Sequence, residues 1–214
     1  MREEKLEKFV EDVRIALNEN PTQSSYAQMN EDSVTLDTLI RKKAHEAISL
    51  VSKWSPSTLL EGEPIRFLAT DVQNNGDGSG LLMLPDDVER LLLIRLKGWK
   101  RAVSTFEPLG SERAKMQANI YTRGSLSKPV CVETQSKNGR RSIACYTFPN
   151  DANPVEEAIG VYYPKEQSDT ICVSSKLYEA SVWCCAWLVS TARGETDQAA
   201  SYLTLCKNYF EEAL

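Results

Sequence analysis

Histidine occurs once in this chain of 214 residues, at position 45. One histidine excludes a multi-histidine metal site and any mechanism that needs two catalytic imidazoles. A cysteine–histidine nucleophilic pair stays arithmetically open, but His45 sits between Ala44 and Glu46 with no motif around it. A helix-surface or partner-contact histidine is the expected reading. The six cysteines, at 131, 145, 172, 184, 185 and 206, contain no Cys-x-x-Cys spacing, and most have apolar neighbours. That pattern fits reduced, buried thiols acting as small hydrophobes in a reducing cytoplasm, without disulfides. Residues 1–9 carry charge and no apolar h-region, so no secretory signal is expected. The longest apolar run covers 182–189, far short of the roughly 18 residues of a membrane span.

Phosphate and acyl-transfer motifs are missing as well. Gly76-Asp-Gly78-Ser-Gly80 is glycine-rich, but it lacks the Gly-Lys-Ser/Thr ending and following helix of a phosphate cradle, and Gly-x-Ser-x-Gly does not occur. Counting from Asp71, Gly76 falls at the sixth position of a calcium loop, yet Leu82 stands twelfth where a bidentate glutamate belongs, so a turn is expected there. The acidic pairs Asp86/Asp87 and Glu156/Glu157 are adjacent and point apart in regular structure, as solvated charges do. The sequence therefore predicts a non-enzymatic protein with no cofactor and no metal.

What is present is an ordinary globular composition, 42% hydrophobic and 26% charged over 24.0 kDa. A chain of this mass buries around 70% of its extended surface, enough for a core without staples. The net charge of −5 hides a strong segregation. Residues 1–89 carry 9 basic and 17 acidic side chains, residues 90–145 carry 12 and 3, and residues 146–214 carry 4 and 10. Either folding mixes these segments in space, or the middle one forms a basic face for an acidic neighbour or a nucleic-acid phosphate.

Residues 3–18 predict an amphipathic helix through Leu6, Phe9, Val10, Val13 and Leu17, stopped by Asn20-Pro21, and 21–33 reads as a loop. A second helix begins near Thr35, a side-chain cap, and ends at Trp54-Ser55-Pro56. Strands are expected at 65–70 and 81–84 around a turn-forming run at 73–80, then over 90–103, with a short helix at 111–121. Residues 130–133 and 142–146 read as a hairpin around Lys137-Asn138-Gly139, suited to a type I′ turn, with further strands at 159–163 and 170–173. Ser174 or Ser175 caps a helix closed by Gly194, apolar all round over 182–189 and so enclosed on most sides. A last helix over 196–214 carries a narrower stripe of Ala199, Leu203, Cys206, Tyr209, Phe210 and Ala213. Trp183 and Trp187, four apart, share a helix face, for core packing or a subunit contact. The layout is α+β: an N-terminal helix pair in a helical segment 1–56, a central, mostly antiparallel β-rich segment 57–173, and a C-terminal helix pair in 174–214, read as a single unit.

Read in order, certain landmarks form a pattern. They are Gly80-Leu-Leu-Met-Leu-Pro85-Asp86-Asp87-Val88-Glu89-Arg90-Leu91, Trp99-Lys100-Arg101-Ala102-Val103, Gln117, Lys128-Pro129-Val130-Cys131, Tyr162-Tyr163-Pro164, and a terminal helix pair opening with Leu177-Tyr178-Glu179-Ala180. This order resembles the head–tail connector (adaptor, or ring) proteins of tailed phages, especially those of crAss-like phages infecting Bacteroidetes. The resemblance spans nearly the whole chain in short pieces, none of them catalytic. It implies a virion structural protein of the head–tail neck, made in the host cytoplasm. Its subunits form a ring, commonly twelvefold, between the portal and the tail or a second adaptor, and genomic DNA passes through without specific binding and without a membrane. A phage or bacterial protein-binding or nucleic-acid-associated adaptor module is the alternative.

On that reading the basic middle segment and the tryptophans are the candidate interface. Arg95, Lys97, Lys100 and Arg101, with Arg140 and Arg141 beside the Asn-Gly turn, hold much of its charge, and Trp183 and Trp187 are the apolar anchors. On an ideal strand 95, 97 and 101 share one face and Lys100 takes the other. These cations are expected to meet an acidic surface on an adjacent subunit or portal protein. DNA is the competing partner, disfavoured by few aromatics for stacking and a net negative chain.

Overall fold

A computed structural model describes residues 2–18, 35–136, 138–164 and 169–211. In chain order the first half holds β1 (Arg2–Lys5), α1 (Leu6–Ala16), α2 (Leu36–Trp54), β2 (Glu63–Pro64), β3 (Val72–Asn74), β4 (Ser79–Met83) and β5 (Val88–Leu96). There follow α3 (Glu112–Met116), β6 (Cys131–Gln135), β7 (Arg141–Tyr146), β8 (Val155–Tyr162), β9 (Thr170–Val173), α4 (Tyr178–Arg193) and α5 (Thr196–Glu211). The fold is α+β, with helices α1 and α2 before antiparallel sheets and the packed pair α4/α5 after them. The chain divides into two compact units, one made of Met1–Glu61 and Tyr163–Leu214 and the other of Gly62–Tyr162.

The first unit is helical because three amphipathic helices surround one that is apolar on every side. Ten of the sixteen residues of α4 are buried, among them Val182, Cys184, Cys185, Ala186 and Val189. Against it pack Phe9 and Val13 of α1, Ile40, Ala44, Ile48 and Val51 of α2, and Cys206 and Phe210 of α5. Thr35 Oγ1 caps α2 by accepting from Thr38 N–H at 3.3 Å, as its sequence predicts. Gly194 closes α4 with its N–H on Ser190 and Thr191 carbonyls. Two expectations change here. Residues 3–5, the start of the expected helix, instead belong to β1, which pairs antiparallel with β9 from Arg2 to Val173 and from Lys5 to Thr170. They have no apolar residue for a buried helical stripe, whereas β9 offers an edge that needs a partner. Ser174 and Ser175 do not cap α4, whose first turn starts behind Leu177 without a side-chain cap. The Ser174 hydroxyl instead donates to Leu59 O at 2.6 Å and accepts from Glu61 N–H at 3.2 Å.

The second unit holds two antiparallel sheets, ordered β2-β8-β5 and β3-β4-β7-β6. One buried cluster draws on both, including Leu82, Val88, Ile94, Leu96, Cys131, Ile143 and Cys145. The hairpin of β6 and β7 forms with Cys131 opposite Cys145. Its loop is longer than a two-residue I′ turn. Gly139 N–H bonds Ser136 O, Ser136 N–H bonds Arg140 O, and Gly139 at φ 78° supplies the left-handed residue; Lys137 lies outside the described residues. The expected strand over 65–70 is absent. Asp71 Oδ2 accepts Leu68 N–H at 3.1 Å and winds 69–71 into a 3₁₀ turn. The turn-forming run shrinks correspondingly, because β3 pairs with β4. The expected strand over 90–103 ends at Leu96, where Gly98 at φ 81° reverses the chain so that Val103 pairs back onto Ile94. Arg101 therefore lies on the returning segment rather than on one strand with Arg95. The short helix within 111–121 is α3, capped by Ser111 Oγ on Ala114 N–H at 3.1 Å.

Candidate interaction surfaces

Most of the basic residues singled out in the sequence have partners within their own unit. Arg95 lies 3.4 Å from Glu156 and 3.5 Å from Glu157, and Lys97 lies 2.9 Å from Asp151. Arg140 ends the hairpin loop and Arg141 opens β7. Arg140 reaches Asp71 at 3.2 Å and Asp86 at 3.6 Å, and Arg141 donates to the Val88 and Glu89 carbonyls at the start of β5. Residues 62–162 contain 13 basic and 12 acidic side chains, so the cation-rich middle segment is nearly neutralised by acids from 63–89 and 151–157. The helical unit keeps 12 basic against 18 acidic residues. Lys100 and Arg101 are the exceptions, exposed and without an ion pair among the described residues.

Those two residues adjoin the most apolar exposed stretch of the second unit. Between Val103 and β6 the chain makes a long excursion interrupted only by α3, and it leaves Leu109, Met116, Ile120, Tyr121 and Leu126 in solvent. Ile120 is 70% and Tyr121 93% exposed. The excursion is nonetheless pinned. Gln117 is buried, its Oε1 accepting from Gly124 N–H and its Nε2 donating to Arg113 O, both at 2.8 Å. Arg123 donates to Gln117 O at 3.1 Å and to Asp77 O at 2.8 Å, and its guanidinium lies 5.5 Å from the Tyr146 ring. Lys100 N–H bonds Leu126 O at 2.9 Å, tying the tip to the Lys100–Arg101 turn. Lys115 and Lys128 are likewise exposed without an ion pair among the described residues. Nothing periodic marks this stretch; its signal in the sequence is only apolar side chains set among turn-forming residues.

Trp183 and Trp187 meet different helices. Trp183 stacks on Tyr202 of α5, centroids 5.9 Å apart at 24°, and Trp187 tilts against Trp54 of α2 at 5.8 Å. Trp183 also lines a cavity of about 430 Å³ between α1, α4 and α5, with Ile15, Val182, Tyr202 and Leu205. Asp12 and Glu179 line it too, and Tyr178 OH donates to Asp12 Oδ2 at 2.6 Å. Ile15 and Leu205 are 63% and 40% exposed. Both fall outside the stripes that define their helices; Ile15 stands beside Glu11 and Asp12 one turn back, an apolar residue on a charged face, and Leu205 beside Ser201 and Asn208.

The groups that could carry chemistry are dispersed. The two acids of the calcium-like loop are engaged separately, Asp71 with Arg140 and Asp77 with Ser79, whose N–H and hydroxyl hold the Asp77 carboxyl below the usual range. None of the six cysteines is in a disulfide, and all but Cys172 are buried. Cys131 and Cys145 face each other at 3.7 Å, and this contact, with burial, pushes the Cys145 thiol up. Cys184 is raised by its hydrogen bond to Cys206 and by burial, and Cys185 by burial. His45 Nε2 is buried without a hydrogen bond among the described residues. No three histidine, cysteine or carboxylate side chains among the described residues gather as a metal site. No helix there is long and apolar enough to cross a membrane.

No protein-family model matches the sequence, and no curated protein matches it.

Proposed function

We propose that this chain is a non-enzymatic virion structural protein, a head–tail connector subunit that joins portal to tail in a ring and lets the genome through. The order of sequence landmarks supplies the class of assembly. The observation that carries the reading is that one chain bears two unlike, ordered surfaces: an apolar loop flanked by cations without ion pairs among the described residues, and an apolar groove lined by acids on a unit with excess negative charge. Two distinct surfaces are what head-to-tail ring assembly needs, since each subunit uses one on either side. Near-neutralisation of the middle segment also suits a channel wall, because a strong phosphate grip slows a sliding genome.

Depletion of the protein during growth of the phage that encodes it tests the proposal. The expected product is DNA-filled heads without tails alongside free tails. Complete, infectious virions assembled without it would overturn the assignment.

A further inference from the structure

We infer that the pinned loop around Ile120 and Tyr121 of one copy seats in the α1/α4/α5 groove of a second copy. This deepens the connector reading and rests on it for the second copy. Each side presents what the other lacks. The loop offers exposed Met116, Ile120 and Tyr121, already ordered by Gln117 and Arg123, so little conformational freedom remains to be lost on docking. The groove offers Ile15, Val182, Trp183, Tyr202 and Leu205 around a cavity of about 430 Å³, room for a tyrosine ring beside an aliphatic side chain.

Charge gives the pairing its direction. Lys100, Arg101, Lys115 and Lys128 surround the loop without ion-pair partners among the described residues, while Asp12 and Glu179 line the groove. The unit that carries the groove holds six more acidic than basic residues. Opposite charges at the rim steer encounter and fix register, while the buried aromatic supplies the affinity. Because loop and groove are different patches, the contact is heterologous, and it closes into a ring or extends as a filament according to the rotation between copies.

The test uses two full-length variants and their mixture, followed by sedimentation velocity. Tyr121→Asp removes the loop anchor and leaves the groove; Ile15→Lys blocks the groove and leaves the loop. Both positions are exposed, so circular dichroism should match wild type. Each variant alone is expected to lose self-association by about tenfold or more, the usual effect of removing a central aromatic anchor. Mixed together they should form a dimer that grows no further, since one intact loop meets one intact groove. A photocrosslinker at position 121 of the wild-type chain should attach to peptides of α1 or α5. Wild-type association by Tyr121→Asp, failure of the mixture to dimerise, or crosslinks confined to other segments or proteins would each overturn the contact. Failure of the connector reading shows separately, as complete virions in the depletion experiment.

Discussion

Replacing Gln117 with leucine isolates the pin that holds the exposed loop. The side chain is 2% exposed and makes two hydrogen bonds of 2.8 Å, accepting from Gly124 N–H and donating to Arg113 O. Leucine is close in volume, so packing changes little and the loss is polar. Each bond contributes about 1 kcal/mol net. The half-buried Gly124 N–H also loses its acceptor, while the exposed Arg113 carbonyl can rehydrate. The closed loop should therefore lose about 2 kcal/mol or slightly more, which is about a thirtyfold change in its opening equilibrium. Amide hydrogen exchange reads this directly. Residues 118–128 should exchange about thirtyfold faster in Gln117→Leu, with amides of β5 and β7 unchanged, because the loop opens locally. Unchanged exchange over 118–128 would refute the pinning argument, and equal acceleration everywhere would refute its local character.

Arg140→Ala strands the buried Asp71 carboxylate with only the Leu68 N–H and should cost about 1–3 kcal/mol in urea unfolding. Arg95→Ala, at an exposed pair, should cost under about 1 kcal/mol; equal costs would remove the distinction between them. Cys184→Ser should destabilise by about 1–3 kcal/mol by placing a hydroxyl in a fully buried thiol site, whereas Cys172→Ser on the exposed face of β9 should be nearly neutral in the same assay. Asp77 and Asp151 have carboxyls held low, Asp77 mainly by Ser79 and Asp151 by Asn153 N–H and then Lys97. Their contribution is therefore complete above the unfolded aspartate range and is lost as pH falls through their lower folded values. Carbon-detected titration should find both below ordinary aspartates, and ordinary values would contradict the hydrogen bonding. Deletion of 196–214 uncovers Trp183 and the Cys184 side of α4 and should give aggregation; a soluble, cooperatively folding truncation would show that α5 is not part of that core.

The helices were legible because their signals are local. Thr35 and Gly194 mark ends by side-chain and backbone chemistry that needs no distant partner, and the uniform apolarity of 182–189 implies neighbours on several sides, which α1, α2 and α5 provide. β1 was not legible: Arg2–Lys5 becomes a strand only because β9 arrives from 165 residues later. Gly98 argues against a helix over 90–103, but its positive φ also breaks the continuous strand expected there and makes it the reversal that separates Arg101 from Arg95. The charge of 90–145 left both spatial mixing and a basic face open, because sequence segments are not spatial neighbours; β8 delivers Glu156 and Glu157 to Arg95. The pinned loop had no periodicity to betray it, since Gln117 and Arg123 order it through irregular contacts. The apolar neighbours of most cysteines pointed to burial, and all but Cys172 are buried; His45, expected on a helix surface, lies on α2 with its Nε2 buried.

The most direct test of the connector assignment is immunogold electron microscopy of intact virions, using antibody against this chain. The account predicts gold confined to the neck, between the head vertex and the tail. Gold on the capsid faces or tail tip, or no gold on virions that contain every other structural protein, would contradict it.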